Sequence, residues 1–399
     1  MPWKETTVLN VREKFISMYL DQSISMAELC REFGVSRKTG YKFVHRYQRY
    51  GSEGLRDLSR APHNHPNAVS EDLQEFIVTC KTKHPTWGPR KLLGRLRLID
   101  TGVNWPAAST IGALLDSRGL TIRRKRRSQH ATASVTLTQP GEPNEVWCAD
   151  FKGHFALGNR QRCNPFTLTD AYSRVILKAQ ALSKTDTNTV KPLWVAAFRE
   201  YGLPSVIRTD NGPPFATNGL GGLSALSVWW IKLGIRPERI KPAHPEQNGQ
   251  HERMHRTLKE EATRPPQCDL RAQQRVFDRF VQEYNYVRPH EALGQITPAS
   301  VYTPSPRRYP LRLPAVEYPS GVQARHVRTN GSIRWRGSLI FVSETLIGEY
   351  VGLDQLDDRH FALYFGPLPL AILDDHTCSW LPPKAAAKSL ETLLQENHQ

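Results

Sequence analysis

The sequence predicts a multidomain protein with all-α modules at its N-terminus, a central α/β domain and a small β-barrel at its C-terminus. Apolar side chains recur at helical spacing up to about residue 120, whereas runs rich in β-branched and aromatic residues begin at Val146. A proline-rich stretch then precedes short strand-like runs after Glu291. The expected boundaries are 1–60 and 68–122 for two helical domains, 123–143 for a basic linker, 144–300 for the α/β domain and 320–375 for the β-barrel.

The charge of the chain favours a polyanionic partner. Lys and Arg number 54 against 38 Asp and Glu in 399 residues, a formal net charge of +16, and such an excess is typical of proteins that bind nucleic acid or acidic membranes. No run approaches the roughly 20 apolar residues that a membrane-spanning helix needs, and the N-terminus lacks the apolar segment of a secretory signal. We therefore expect a soluble protein of the cytoplasm.

The cysteines and histidines form no zinc-binding pattern. No two cysteines are paired as Cys-x-x-Cys, the spacing of many zinc sites and redox centres. His63 and His65 have no such cysteine pair downstream. We therefore predict no structural zinc. The six cysteines are Cys30, Cys80, Cys148, Cys163, Cys268 and Cys378.

Three helices are expected in the first domain. The first covers Thr6–Leu20. Ser25 and Glu28 form a capping box that opens the second helix, Gly34 ends it, and Ser36 caps the third. The side chains expected to face inward are Val8, Val11, Phe15, Tyr19, Met26, Leu29, Cys30, Phe33, Phe43, Val44 and Tyr47.

The second and third of these helices predict a helix-turn-helix. Two short helices joined by a tight glycine turn are typical of this motif, whose second member lies in the major groove of DNA. An ordinary three-helix domain with a solvated basic face is the alternative, and Gly40 weakens the third helix. The basic side chains expected to contact DNA are Arg37, Lys38, Lys42 and Arg46.

A second helical unit follows a linker rich in Pro, His and Asn. Trp87-Gly-Pro-Arg90 places a proline at the start of one helix, and Pro106 opens another helix that Gly119 ends. We expect a second trihelical DNA-binding module. Its apolar positions are Leu73, Phe76, Ile77, Cys80, Leu92, Leu93, Leu96, Ile99, Ile111, Leu114 and Leu115.

A run of five basic residues comes next. Its surroundings are rich in Ser, Thr and Gln, as expected of a linker that tracks DNA phosphates. A run of this kind is, by itself, usually only solvated charge. The residues are Arg123, Arg124, Lys125, Arg126 and Arg127.

The central domain is predicted to follow the order β-β-β-α-β-α-β-α. The strands are recognised by β-branched and aromatic residues and the helices by their periodicity. Trp147, Trp229 and Trp230 are expected in the core rather than at a base-stacking surface. The predicted strands are Val146–Phe155, Phe166–Thr169, Arg174–Leu182, Ser205–Thr209 and Arg239–Pro242, and the first two helices are Thr187–Tyr201 and Leu223–Leu233.

The C-terminal domain is predicted to be a small β-barrel behind an extended connector. Asn330-Gly331 is a strong turn signal between Val322–Arg328 and Ile333–Trp335, which we expect to form a hairpin. The tail from Ala385 is polar and helix-prone. The prolines of the connector are Pro304, Pro306, Pro310, Pro314 and Pro319, and the later strand-like runs are Leu339–Val342, Glu349–Leu353 and Phe361–Phe365.

Two aspartates of the central domain stand where metal ligands are expected. Asp150 lies between apolar neighbours inside the first predicted strand, where a charge is costly unless it binds something. Asp210 ends the fourth strand, and Asn211-Gly212 turns the chain there. Phosphoryl transfer on DNA uses two divalent metals about 4 Å apart, which need converging oxygen ligands. If the two strands are adjacent, both carboxylates share one edge of the sheet.

The third carboxylate has two candidates. Glu246 is separated from Asp210 by 35 residues and Glu252 by 41, and the shorter separation is the one familiar in this chemistry. Glu252, however, falls in the first turns of a helix with Arg256 and Lys259 on the same face, which can hold metal and grip phosphates together. Spacing thus favours Glu246 and context favours Glu252.

The stretch from Glu145 to Pro298 resembles the retroviral-integrase catalytic core and, more closely, the bacterial insertion-sequence transposases that share it. In that family the third motif places its glutamate three positions after a glycine, which here selects Glu252. The extra residues are then an insertion near Gly219–Gly222. The matching motifs are Trp147 to Asp150, Thr209-Asp-Asn-Gly212 with Phe215, His244-Pro-x-x-Asn-Gly-x-x-Glu252-Arg, and Tyr284-Asn-x-x-Arg288-Pro-His-x-x-Leu293.

The resemblance implies an RNase H-like fold, with a mixed five-stranded sheet flanked by helices, and two Mg²⁺ ions for which Mn²⁺ substitutes. Asp150, Asp210 and Glu252 would be the catalytic ligands. A metal-activated water would cut the transposon end, and the freed 3′-hydroxyl would attack target DNA. Arg256 and Lys259 would position phosphates.

The resemblance also implies a partner and a place of action. The expected partner is double-stranded DNA, at the terminal repeats of the element and at its target, with a dimer or tetramer pairing the ends in the nucleoid. Two alternatives are a non-catalytic DNA-binding regulator derived from a transposase, and an RNase H-type or Holliday-junction nuclease that only hydrolyses.

Overall fold

The computed structural model describes residues 7–58, 68–121, 137–217, 219–240 and 249–382, together with 386, 389–390 and 392 of the tail. The chain divides into two compact units, Met1–Val69 and Ser70–Gln399. The basic run at 123–127, Glu246 and most of the predicted C-terminal tail lie outside the described residues.

The first unit contains the three predicted helices, α1 (Val8–Leu20), α2 (Met26–Glu32) and α3 (Arg37–Tyr50). The capping box of α2 and the Ser36 cap of α3 are both present, and Gly34 has a positive φ of 64° after α2. The predicted stripe of α1 is wrong at its start, because Val8 and Val11 are exposed. The buried hydrophobic residues are Phe15, Ile16, Leu29, Cys30, Val44 and Leu55.

Gly40 is the point where α3 approaches the other two helices. A Cβ atom there would lie 2.7 Å from the Cys30 sulfur and 3.0 Å from the Phe15 ring. Real Cβ atoms do not come this close, so any larger residue would push the helices apart. The glycine that weakens α3 by helix propensity is therefore favoured by its packing.

The second unit begins with another trihelical module, α4 (Glu71–Lys83), α5 (Pro89–Ile99) and α6 (Ala108–Ser117). Pro89 occupies the first turn of α5 as predicted, whereas α6 begins two residues beyond Pro106. Phe76 and Ile99, predicted inward, are exposed. The core of the module is Ile77, Cys80, Trp87, Leu92, Leu93, Leu96, Trp105, Ile111 and Leu115.

The central domain is built on a mixed sheet. Its strands are β1 (Val146–Phe151), β2 (Phe155–Ala156), β3 (Arg162–Asp170), β4 (Ile176–Leu182), β5 (Val206–Thr209) and β6 (Arg236–Arg239). Strand β1 pairs antiparallel with β3 and parallel with β5, β5 pairs parallel with β6, and β4 lies on the other edge of β3.

The predicted strands differ from the observed ones in their bounds, and the second extends over Arg162–Asp170, through Pro165. The first breaks at Gly153, which has a positive φ of 72°, and β2 resumes pairing with β3 after a shift of one residue. The last strand ends at Arg239 instead of beginning there. Its sequence, Arg-Pro-Glu-Arg, has no strand-like hydropathy. The charged Glu238 is nevertheless buried in this strand because its carboxylate pairs with the buried Arg208.

Four helices cover the two faces of the sheet: α7 (Thr187–Tyr201), α8 (Ala225–Lys232), α9 (Gly249–Ala262) and α10 (Leu270–Gln282). Helices α7 and α8 pack around Trp194 and Trp230 on one face, and α9 and α10 pack around Leu258 and Phe277 on the other. Trp147, Trp229 and Trp230 are buried in the core as predicted.

The C-terminal strands form an open sheet and a separate hairpin, so the predicted closed barrel is not confirmed among the described residues. The sheet has the order β13-β12-β11-β10-β7, and β8 pairs only with β9 in a two-stranded sheet. The strands are β7 (Gln323–His326), β8 (Ser332–Trp335), β9 (Ser338–Phe341), β10 (Tyr350–Gln355), β11 (His360–Phe365), β12 (Leu368–Asp374) and β13 (Ser379–Trp380).

The predicted hairpin around Asn330-Gly331 is wrong in its pairing. Gly331 does turn the chain, with a φ of 75°, but β7 pairs with β10 and β8 pairs with β9. The hairpin turn is at Arg336-Gly337, where both residues have positive φ. Two turn signals lie close together here, and long-range packing selects between them.

Candidate active site

Asp150 and Asp210 lie side by side at one edge of the central sheet. Strands β1 and β5 are parallel neighbours, and Cys148 stands opposite Arg208 in their register. The two aspartates are each two residues further along, at the carboxyl ends of these strands. The adjacency on which the sequence prediction depended is therefore present.

Burial and mutual repulsion disfavour the charged forms of these carboxyls. Burial, together with the charges of Asp210 and Glu252, raises the pKa of Asp150 to about 7. Burial also raises the pKa of Asp210, against a hydrogen bond from the Gly212 N–H to Asp210 Oδ1 of 3.2 Å. A group that brings positive charge would relieve this repulsion.

Glu252 lies on the exposed side of α9, as do Arg256 and Lys259. Met254 and Leu258, on the opposite side, are buried against the sheet as predicted. Within the residues that the structure describes, no three His, Cys, Asp or Glu side chains are grouped closely enough to hold a metal ion. Glu252 is close enough to Asp150 to influence its pKa but does not form a closed cluster with the two aspartates.

A buried polar network lies beneath Asp150, and sequence reasoning missed it. His251 and His255, one turn apart on α9, both contact the hydroxyl of Thr167, the residue paired with Asp150 on β3. Burial lowers the pKa of His251 to about 3 and also lowers that of His255, so both rings are neutral at pH 7. The i, i+4 histidine pair beside Glu252 was the available signal.

Lys152 is a second residue that sequence reasoning missed. It follows Asp150 by two positions and keeps the β1 register, with its N–H donating to the Pro165 carbonyl at 2.9 Å, so both side chains lie on one face. Gly153 then breaks the strand. The positive charge of Lys152 lowers the pKa of Asp150, opposing the effect of burial.

Asn211 ties the Asp210 turn to the neighbouring strand. Its side-chain amide donates to the Ile240 carbonyl at 2.6 Å, just beyond β6. Phe215, from the same motif, is buried in the core between the sheet and α8. The turn that carries Asp210 is therefore fixed from both sides.

The basic side chains predicted on α3 do not all share one environment. Arg37, Lys38 and Lys42 are exposed, but the Arg46 guanidinium donates to the Arg56 carbonyl and is partly covered. The predicted contact of Arg46 with DNA stays a prediction. Tyr41 and His45 are also exposed and share the face of Lys38 and Lys42.

The motif from Tyr284 to His290 has a structural role. Both polar atoms of the Asn285 side chain bond the backbone of Ile176 on β4, at 2.9 Å each. Arg288 pairs with Glu261 of α9 at 2.6 Å and lies over the Trp87 ring of the helical module. The motif therefore joins α9, the sheet and the module.

Four family models match the chain. Two described as Integrase core domain match residues 140–245 and 233–298. One described as Helix-turn-helix domain matches residues 11–63, and one described as Homeodomain-like domain matches residues 39–115. Domains of these kinds bind DNA. No helix in the described part of the chain is long and apolar enough to cross a membrane.

Proteins of insertion elements are similar to most of the chain. A 31.7 kDa protein of IS407 from Burkholderia multivorans is 29% identical over 59% of this chain and 82% of its own length. A 39.2 kDa protein of IS476 from Xanthomonas euvesicatoria is 28% identical, over 61% and 69%. The transposase InsD of IS2 from Escherichia coli is 26% identical, over 54% and 72%. The chain therefore belongs with the bacterial insertion-sequence transposases that have an integrase core domain.

Proposed function

We propose that Asp150, Asp210 and Glu252 hold two Mg²⁺ ions, replaceable by Mn²⁺, for cleavage at transposon ends and strand transfer into target DNA. The observation that supports this most directly is the register of β1 and β5, which aligns the two aspartates at one sheet edge. Glu252 lies on α9, whose His255 faces Asp150, and adds its charge to the site.

The residues present fit divalent ions of this class. Carboxylate oxygens are the ligands that Mg²⁺ prefers, and the pKa of Asp150 is raised first by burial and then by the neighbouring carboxyls, all of which a bound cation would offset. When bound, the metal supplies a Lewis acid at the attacked phosphate and favours deprotonation of the attacking hydroxyl. Arg256 and Lys259, exposed on the face of α9 that carries Glu252, would hold the flanking phosphates.

DNA-recognition roles fall to three parts of the chain. Arg37, Lys38, Lys42 and Arg46 on α3, joined by the exposed Tyr41 and His45, would read the terminal repeats of double-stranded DNA. The basic linker at 123–127 would follow the phosphates, and the C-terminal strands would contact flanking DNA. Pairing of two transposon ends requires a dimer or tetramer, acting at the nucleoid.

The test is a strand-transfer assay with purified protein, Mg²⁺ or Mn²⁺, and labelled duplexes from the DNA that flanks its gene. Metal-dependent joining should be lost in Asp150→Asn, Asp210→Asn and Glu252→Gln. It should persist in Glu246→Gln, which is the matched control on the same segment. Thermal unfolding of each variant checks that the fold is intact.

Three other outcomes would overturn parts of the proposal. Loss of joining with Glu246→Gln and not with Glu252→Gln would move the third ligand to Glu246. Tight binding of the ends without cleavage in either metal would make the protein a DNA-binding regulator. Cleavage without joined products would make it a nuclease.

A further inference from the structure

The contacts beneath Asp150 form an ordered chain of four side chains. Thr169 Oγ1 lies 2.8 Å from His251 Nδ1, His251 Nε2 lies 2.8 Å from Thr167 Oγ1, and Thr167 Oγ1 lies 2.6 Å from His255 Nε2. His255 Nδ1 then faces Asp150 Oδ2 at 3.7 Å. All four side chains are at most 6% exposed. Buried polar groups at this depth must satisfy one another.

The number of protons on each group limits the direction of these four hydrogen-bonding side chains. Each neutral imidazole has one N–H, and a hydroxyl has one proton to donate. Suppose that Thr169 donates to His251 Nδ1. His251 must then donate from Nε2 to Thr167, and Thr167 must donate to His255 Nε2. The remaining proton of His255 is then on Nδ1, facing the carboxyl of Asp150.

The opposite arrangement is unfavourable. With the proton of His255 on Nε2, the chain runs in reverse: His255 donates to Thr167, Thr167 donates to His251 Nε2, and His251 donates from Nδ1 to Thr169. The bare lone pair of Nδ1 would then face the Asp150 carboxyl, acceptor against acceptor whenever that group is ionised. The two arrangements therefore differ in favourability at the His255 end of the chain, where Nδ1 faces Asp150 Oδ2 at 3.7 Å.

We propose that His255 is a positioning residue, held in its Nδ1–H tautomer by Thr167, and that it orients the carboxyl of Asp150 for metal binding. The proposal rests on the proposed function of Asp150 as a metal ligand. His255 is one turn from Glu252 on α9, so the same contact links the helix that carries Glu252 to β1. Groups that lie against ligating carboxylates orient them and tune metal sites in this way.

The tautomer can be measured directly in the metal-free full-length protein. Selective ¹⁵N-histidine labelling and NMR at pH 7.5 should show the His255 ring protonated at Nδ1, its signals assigned by their loss in His255→Asn. Thr167→Val keeps the side-chain shape, removes the hydroxyl and should abolish that preference. A wild-type ring protonated at Nε2 would overturn the proposal, whatever the protein does with DNA.

Two amide substitutions of His255 distinguish a positioning role from a role in packing alone. The Asn side-chain nitrogen stands near the place of Nδ1, and that of Gln stands near the place of Nε2. Mn²⁺ affinity, measured by calorimetry without DNA, should stay within about threefold of wild type in His255→Asn and weaken about 10- to 100-fold in His255→Gln. Equal affinity in both variants, at wild-type level or equally weakened, would contradict a role for the Nδ1 donor.

Asp150→Asn distinguishes this inference from the proposed function. If Asp150→Asn leaves Mn²⁺ affinity unchanged, Asp150 is not a ligand, and the role of His255 in metal binding fails with it. If Asp150→Asn abolishes binding while His255→Gln binds as wild type, the metal site stands and only the positioning role is lost.

Discussion

Asp150 is a carboxyl in a partly buried strand with a second carboxyl beside it. Burial and the second carboxyl disfavour the charged form of Asp150. The nearby charge of Lys152 and a hydrogen bond from the Phe151 N–H offset this effect only in part. Carboxylates that must converge to bind metal also repel one another, and this repulsion destabilises the folded protein when no cation is bound. Electrostatic strain at single residues is therefore expected to show in the metal-free protein.

The pH dependence of stability should reveal this strain. The pKa of Asp150 is raised from 3.8 to about 7 on folding, so its stabilising contribution is complete below pH 3.8 and is lost as the pH rises through about 7. The loss is at most about 1.4 kcal/mol per pH unit for one proton. In urea titrations without metal, wild type should lose stability relative to Asp150→Asn between pH 5 and about 7.

Parallel pH profiles of the two proteins would contradict a raised pKa at Asp150. Lys191→Gln is a suitable control, since this lysine lies on α7 over the Trp229 ring, away from the aspartates. Its profile should follow that of wild type.

At the scale of elements, β5 and β6 are joined by a buried ion pair that also holds the segment before β1. Arg208 and Glu238 are 2.7 Å apart and each side chain is less than 10% exposed. Thr138 donates its N–H and its hydroxyl to Glu238, and its carbonyl accepts from Arg208. One cluster therefore fixes the strand that carries Asp210 and the end of the segment that leads into the domain.

Glu238→Gln should destabilise the domain by about 3–5 kcal/mol, because it leaves the Arg208 charge buried without a counter-charge. Chemical denaturation measures this loss. The double variant Arg208→Met with Glu238→Leu removes both charges and should recover most of the stability. A Glu238→Gln protein as stable as wild type would show that the pair is solvated and contributes little.

At the scale of the whole second unit, α8 is buried on two sides. Leu226, Trp229 and Trp230 belong to the core of the central domain, whereas Val228 and Ile231 belong to the core of the C-terminal strands. Lys232 also pairs with Glu349 at 2.7 Å. The C-terminal strands are therefore packed on the central domain and not merely tethered to it.

A chain that ends at residue 313 should aggregate, because it exposes the apolar side of α8. Ile231→Lys should restore solubility to that shortened chain, yet destabilise the full-length protein by about 3 kcal/mol, since it buries an unpaired charge. Size-exclusion chromatography and thermal unfolding measure the two effects. A shortened chain that is monomeric without the substitution would contradict the shared core.

The helical module is attached to the same unit through α9 and α10. His84 pairs with Glu283 at 2.7 Å, and Thr86 donates to Glu261 near the end of α9. Lys91 donates to the Pro289 carbonyl at 2.6 Å. The helix that carries Glu252 is thus held at one end by the module and at the other by the histidine network beneath Asp150.

The sequence by itself determined the features that depend on near neighbours. The Ser25 and Ser36 caps, the start of α5 at Pro89 and the span of α7 are all present. Such features follow from backbone preferences and hydropathy periods that act over a few residues. The two aspartates were found because a charge in an apolar strand, and an Asp-Asn-Gly turn after one, are both local signals.

Only the tertiary structure decided which distant groups meet. The Arg208 partner of Glu238, the pairing of β8 with β9 instead of β7, and the burial of His251 and His255 under Asp150 depend on residues far apart in the chain. Polar residues in particular are predicted to lie at the surface unless the partner that allows their burial is known. Hydropathy alone therefore missed the charged strand β6 and the histidine network, because the free energy that buries them comes from contacts between separate elements.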